Sequence, residues 1–384
     1  MKSTFAAFRF LATFCCLFGA LVGQAPAPHQ QSPRGATAPP GPSIDTGVSR
    51  QAELSPKQGP VVPVLISATD SGGNPITTLT KDQITIVDGN EAVQPIQLLK
   101  GSELPLRLGI VLFSSPSSLG LYNSHHLEAP FSEQKAAAIE LIKRTIQTNT
   151  DEAFVVTSGK TNLPPSDEFR WTQDPAELTK TIAGMNANVG VSDLLDENEI
   201  DTIYQMYSSS DPWSTRRTLV IFRTAWSHSP LYGTGEIAWI ERQTEHVIAL
   251  AQDLHITTFV VGLEDRTFGT GAFDSSIGRD SVSLPVRPNG GLTSSARDRE
   301  QDRELAFKYT TGKTNLQRIA TETGGTTFWT SKKNCSDAVR AIANQIAGQY
   351  IVTFTPISRP DRVHRVKITS SISARILAQA KFSF

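Results

Sequence analysis

The chain has 384 residues, of which 39% are hydrophobic and 19% charged, and a formal net charge of −1. That length suits two domains, or one large domain with additions. The near-neutral balance excludes a general binder of nucleic acid or of anionic membrane.

Lys2 and Arg9 precede an apolar run from Phe10 to Val22. A basic start followed by a run too short to span a bilayer comfortably reads as a signal peptide over residues 1–25. Its removal shifts the net charge to −3 and leaves Cys335 as the single cysteine, so no internal disulfide is expected. No second apolar stretch reaches membrane-spanning length. The expected location is therefore periplasmic or extracellular, with no membrane span in the mature chain. Residues 26–57 are rich in Pro, Gln, Ser and Gly and poor in large apolar side chains, a linker that cannot bury enough surface to order itself.

Residues 58–103 read as a small β-module. Strands are expected at Val61–Ala68, Ile84–Val87 and Ile96–Leu99, with turn chemistry at Asp70–Pro75 and a hairpin at Asp88-Gly89-Asn90. Such a module is too small to stand alone. From residue 104 to 347 apolar strands alternate with helical patterns, which predicts a doubly wound, mostly parallel α/β sheet. Its first strand, Arg107–Phe113, is a continuous apolar run that ends in a cluster of serines.

A helix follows over 132–147, with Ala136, Ile139, Ile142 and Ile146 at helical spacing. Ala153–Val156 is a strand, and Asp174-Pro175-Ala176-Glu177 reads as a capping box with Pro at the first helical position. Asp193–Met206 reads as helix, Arg217–Phe222 as a central strand, Ile237–Leu254 as helix and Ile256–Val261 as strand. Residues 264–312 form a long polar, Gly-rich loop. Thr314 then caps a short helix that ends at Gly324-Gly325, ahead of a strand from Thr326 to Trp329 and a last helix opening at Asn334. Residues 348–384 return to strands, at Gln349–Phe354, Arg365–Thr369 and Ala380–Phe384. These are expected to join the early module in one sandwich-like unit, because neither half has enough strands alone.

Several stretches taken together carry a family likeness: Leu79–Gly89 in the β-module, the first α/β strand, Glu322-Thr323-Gly324-Gly325-Thr326, Gln349-Tyr350-Ile351 and the terminal strands. Over about residues 58–384 the chain resembles the exported von Willebrand factor A-related proteins of Acidobacteria. The resemblance implies a von Willebrand factor A, Rossmann-like core, ligand binding and no enzymatic activity. In that family a hard divalent cation is held by first-loop hydroxyls, a second-loop threonine and aspartates, with oxygen the required ligand atom. By the resemblance Ser115 and Ser117 match the first-loop serines and Ser192 the threonine. Phe113 stands where the first aspartate belongs, and Arg223 where the third-loop aspartate is expected. Two carboxylates are missing and one position is cationic, so no metal and no cofactor is expected.

Two readings of that site follow. In one, Arg223 is a fixed cation beside the serines and receives an acidic residue of a protein partner through a bidentate pair, with Trp226 as a neighbouring anchor. In the other, the site is inert, and the β-module or the 264–312 loop binds partners in a structural envelope scaffold. His125, His126 and His228 have metal-ligating side chains but no spacing that fixes a helix-face pair, so they read as surface histidines. The strand-to-helix elbow of serine hydrolases, Gly-x-Ser-x-Gly, is missing. Cys335 opens a helix, where thiol acidity rises, yet reads as a buried structural cysteine. No catalytic residue is assigned.

Overall fold

The computed structural model describes residues 61–113, 128–158, 170–186, 203–224, 234–263, 312–330, 335–357, 364–379 and 381–382. Among them a five-stranded parallel sheet is built from β5 (Leu106–Phe113), β6 (Glu152–Ser158), β7 (Arg216–Thr224), β8 (Thr257–Leu263) and β9 (Thr327–Thr330). Its order is β6-β5-β7-β8-β9, so the winding direction reverses between β5 and β7.

Helices cover both faces. On one, α1 (Glu128–Thr145), α2 (Pro175–Gly184) and α5 (Cys335–Ala347) pack with Leu108, Ile110, Val220, Phe222 and Phe259. On the other, α3 (Thr234–Asp253) and the helical residues 312–322, here α4, pack with Val111, Leu219, Ile221 and Val260. Strands buried on both faces read as continuous apolar runs, which is why β5, β7 and β8 stand out in the sequence. The fold is thus the expected doubly wound α/β sheet of von Willebrand factor A or Rossmann-like class.

The remaining strands form two four-stranded antiparallel sheets. One has the order β12-β1-β10-β4 and the other β13-β11-β2-β3, from β1 (Val62–Thr69), β2 (Ile84–Asp88), β3 (Glu91–Val93), β4 (Pro95–Lys100), β10 (Gln349–Phe354), β11 (His364–Ser370), β12 (Arg375–Ala378) and β13 (Lys381–Phe382). Strands from both ends of the chain share one core, with Val64, Ile66 and Ile86 packed against Tyr350, Val352 and Ile368. The β-sandwich-like unit is therefore joined as expected. β1 and β10 are buried along their whole length. One face of each enters the sandwich core, and β1 also meets α5. Within the sandwich His364 Nδ1 lies 2.8 Å from Asp88 Oδ2, which also accepts the Ile357 N–H at 3.0 Å.

Four local expectations are corrected. The buried stripe of α1 runs through Phe131, Gln134, Ala138, Leu141, Ile142 and Thr145, while Ala136 is exposed. Of the expected positions Ile139, Ile142 and Ile146 do pack in or against the core, and the count of apolar residues passed over Gln134 and the Thr145 hydroxyl, bonded to the Leu141 carbonyl at 2.8 Å, on the same inner face. Thr314 lies inside α4, which is already helical at residue 312. β12 was not anticipated, and of Ala380–Phe384 the structure describes only Lys381–Phe382 as strand. The box at α2 is half made: Asp174 accepts from the Ala176 N–H at 2.8 Å, but Glu177 accepts from Thr172 instead of reaching back. The signal peptide, the linker, the 264–311 loop and most of Asp193–Met206 lie outside the described residues.

The amino ends of the strands are tied by a buried ion pair. Asp151 accepts from the Leu106 N–H at 2.9 Å and from the Thr148 N–H at 3.0 Å, and lies 3.6 Å from Arg216. Arg216 also donates to the carbonyls of Leu104, at 3.1 Å, and Ile346, at 3.3 Å. Burial pulls its guanidinium below the ordinary value, and Asp151 opposes the shift. Beside it Arg217 donates to Leu254 at the end of α3 and to Ser210. That helix ends in paired bonds, Ile256 N–H to Ala251 and His255 N–H to Gln252. His255 stands at φ 53°, a left-handed position where glycine is usual. Burial, helped by the Arg217 charge, lowers its pKa from 6.5 to about 4.

Two outcomes are expected from urea unfolding. Asp151→Ala leaves Arg216 buried without its carboxylate and costs about 3–5 kcal/mol. His255→Gly gains stability relative to the native chain as pH falls from 6.5 to about 4. In that window the unfolded histidine binds a proton that the folded one excludes, so only the native chain loses stability. Each tenfold loss of proton affinity on folding is worth about 1.4 kcal/mol, so the difference reaches about 3 kcal/mol at the acid end of the window. It is absent at about pH 7.5, where both states hold the imidazole neutral.

Candidate functional site

In sheets of this order ligands bind outside the carboxyl ends of the strands, where the winding reverses. Here that point lies between β5 and β7. The last register pair of these strands is Leu112 with Phe222, so Phe113 and Arg223 are the next residues on each. Phe113 pairs with Ser158 of β6, Arg223 with Gly262 of β8, and Gly262 with Trp329 of β9. One row of five backbone positions thus closes the carboxyl edge, with Phe113 and Arg223 side by side.

The sequence placed Arg223 just after its strand. It is instead inside it, because β7 continues to Thr224. Side chains alternate along the strand: Val220 and Phe222 enter the α1, α2 and α5 side, and Leu219 and Ile221 the α3 and α4 side. Arg223 follows the second set. It is 8% exposed, so its charge is held in a recessed position by the strand itself. A benzyl and a guanidinium offer no ligand oxygen to a divalent cation. These two positions therefore do not fit a metal, and no step is derived through one.

Gly262 and Trp329 were not recognised as parts of this row. A Cβ on Gly262 would sit 2.1 Å from Cε3 and Cζ3 of Trp329, so the indole lies directly over the glycine. Only the missing side chain allows that approach. Lys313 Nζ from α4 stands 4.9 Å from the ring centroid, within cation–π range. Trp329 is half-buried against the α3 and α4 side, and it also floors the edge beside Arg223. The only sequence signal was a glycine interrupting the apolar run of β8.

Ser115, Ser117, Ser192 and Trp226 lie outside the described residues, as do His125, His126 and His228. The structure therefore brings together Phe113 and Arg223 from the expected set. Cys335, at the start of α5, is buried with its Sγ 3.3 Å from Thr330 Oγ1. Burial pushes the thiol up, so desolvation outweighs the helix terminus and the cysteine is structural. Among the described residues no three His, Cys, Asp or Glu side chains converge.

No family model and no curated protein matches the chain. Among solved structures it is similar to a von Willebrand factor type A protein from Catenulispora acidiphila, at 11% identity and a TM-score of 0.39, covering 85% of this chain and 74% of that one. It is also similar to proximal thread matrix protein 1 from the mussel byssus, a structure with a zinc-occupied MIDAS motif, at 9% identity and a TM-score of 0.38. That match covers 66% of this chain and 48% of the other. A third likeness is to the human COPII-coat protein Sec24c, at 8% identity and a TM-score of 0.34, covering 73% and 43%. These are likenesses of fold alone.

Gly262→Ala is expected to displace the Trp329 ring and destabilise the chain by about 1–3 kcal/mol. In a Trp329→Ala background the same substitution should cost less. Urea midpoints of the four proteins measure that coupling.

Proposed function

We propose that this chain is an exported, non-enzymatic protein-binding module related to the von Willebrand factor A proteins of Acidobacteria, with a degenerate adhesion site that takes an acidic residue of its partner without a metal. The single observation that carries the reading is Arg223. It is a permanent cation, recessed at the carboxyl end of the central strand, at the point where the winding reverses. Where the family uses a cation to receive the partner's carboxylate, a guanidinium receives the same group directly. Its five donors in a planar fork can serve an internal partner and an external carboxylate at once. The serines Ser115, Ser117 and Ser192 supply further hydroxyls in this reading, and Trp226 an aromatic anchor. The basic-then-apolar amino-terminal segment supports export to the periplasm or beyond.

The second reading, a scaffold with an inert edge, is kept because the sandwich carries exposed cations of its own, Arg365 and Lys367 on β11. Pull-downs from envelope extract separate the two. Arg223→Ala, checked for retained folding by urea unfolding, is expected to weaken partner capture about 10- to 100-fold, the range of a charge-assisted hydrogen bond of about 1.5–3 kcal/mol. EDTA is expected to change nothing. Capture that EDTA abolishes, or that Arg223→Ala leaves intact, would overturn the first reading.

A further inference from the structure

The sandwich contains an incomplete sheet edge. β13 pairs with β11 only at His364 and Arg365. Beyond them, β11 is paired with β2 on one side, from Val366 opposite Asp88 to Ser370 opposite Ile84. The direction of its backbone groups follows from two bonds at its ends. The Gly89 N–H donates to the Arg365 carbonyl at 2.9 Å, and the Ser371 N–H donates to the Gln83 carbonyl at 2.9 Å. Residues 365 and 371 therefore face β2, and by the alternation of an antiparallel ladder so do 367 and 369. The amide and carbonyl groups of Ile368 and Ser370 point the other way. Among the described residues no strand pairs with β11 there.

What lies across from that edge is β12, which belongs to the other sheet and is itself an edge, paired only with β1. A groove of about 630 Å³ separates the two. Its floor is apolar, formed by Val366, Ile368, Ile376 and Ala378, and Lys367 and Thr369 line it as well. The chain turns at its end with Ile372 exposed. An open row of backbone donors and acceptors above an apolar floor is the arrangement that takes up an added strand.

The charge around this groove is one-sided. Residues 362–384 carry Arg362, Arg365, Lys367, Arg375 and Lys381 and no aspartate or glutamate, in a chain whose net charge is −1. Arg365, Lys367 and Arg375 are exposed. Lys367 faces the neutral Val87 and Arg375 the neutral Thr69, while Arg365 faces Lys381. Lysine on an edge strand is a known guard against edge-to-edge pairing. A second copy would set like charges directly opposite one another, which is destabilising. The same cations attract an acidic strand.

We infer that the groove between β11 and β12 binds an extended, acidic segment of another protein, added as a strand to β11. Its backbone pairs with Ile368 and Ser370. Alternate side chains, apolar, descend onto Val366, Ile368, Ile376 and Ala378. The others, acidic, meet Lys367 on the outer face of β11. The inference rests on none of the residues at the carboxyl edge of the parallel sheet, and Arg223→Ala leaves it unchanged.

The test uses the full chain and two short fluorescent peptides, one alternating valine with glutamate and one alternating valine with lysine. Anisotropy is expected to show binding of the glutamate peptide, weakening as salt rises, and none of the lysine peptide. Lys367→Glu, at an exposed position of the groove, should weaken it about tenfold or more, and Arg375→Glu, on the opposite outer face, should weaken it less. Hydrogen exchange should show the Ile368 and Ser370 amides open in the free protein and protected by the glutamate peptide. No binding, equal binding of both peptides, or a self-associated protein whose Ile368 amide is already protected would each overturn the inference.

Discussion

The register of the parallel sheet depends on one buried carboxylate. Asp151 is 2% exposed, and its oxygens accept the first amide of β5 and the amides that close the turn before β6. Arg216, the first residue of β7, faces it and reaches on to the last turn of α5, directly ahead of β10. A buried ion pair adds little net stability over a well-packed apolar pair, but separating its members leaves an uncompensated charge in a low dielectric. The node therefore acts as a register lock. A slip of β7 by one residue would break it, and would also turn every side chain of that strand to the opposite face. Because β5 and β7 are fixed at their amino ends, Phe113 and Arg223 arrive together at the other end. Arg223 then lies on the α3 and α4 side, away from the apolar cluster around Phe222.

That placement sets what the carboxyl edge can recognise. A divalent ion needs oxygens and neutralising charge, and the row offers a phenylalanine, an arginine, a glycine and a tryptophan at four of its five positions. Gly262 lets the Trp329 ring lie flat against β8, and Lys313 stands over that ring. The edge is thus floored by an aromatic plane with fixed cations at its sides. Such a surface offers cations and a ring face, and no carboxylate oxygen at these four positions.

How far this was legible from the sequence varied with the range of the interactions. Strands β5, β7 and β8 announced themselves because both their faces are buried, and the union of terminal strands followed from their number. β12 did not, because Arg375–Ala378 is short and follows a run of Ser and Ala without alternation. The end of β7 was read two residues too early, at Phe222 instead of Thr224, because a charged residue in an apolar run looks like a boundary. The stripe of α1 was legible at Ile139, Ile142 and Ile146 but not at Gln134 and Thr145, which bury polar groups that a count of apolar residues skips. The Arg223–Gly262–Trp329 row joins residues far apart in the chain, and only the strand register reveals it. His255 in a left-handed helix terminus was likewise invisible, since glycine is the residue that marks such a position.

A net charge near zero excluded a general binder of nucleic acid or anionic membrane, yet charge in this chain is distributed unevenly, and its two sets of cations differ in depth. Arg223 is 8% exposed within its strand, where the surrounding dielectric is lower than in water. Lys367 and Arg375 project from an edge, where the field decays within about 8–10 Å at physiological salt. An acidic contact at the first is short-ranged, directional and nearly independent of ionic strength. At the second, the charges guide an approaching strand and backbone bonds hold it, so salt changes how often it arrives more than how firmly it stays. The two surfaces are thus separable by ionic strength alone, and a partner that engages both would be drawn in at the sandwich and fixed at the parallel sheet.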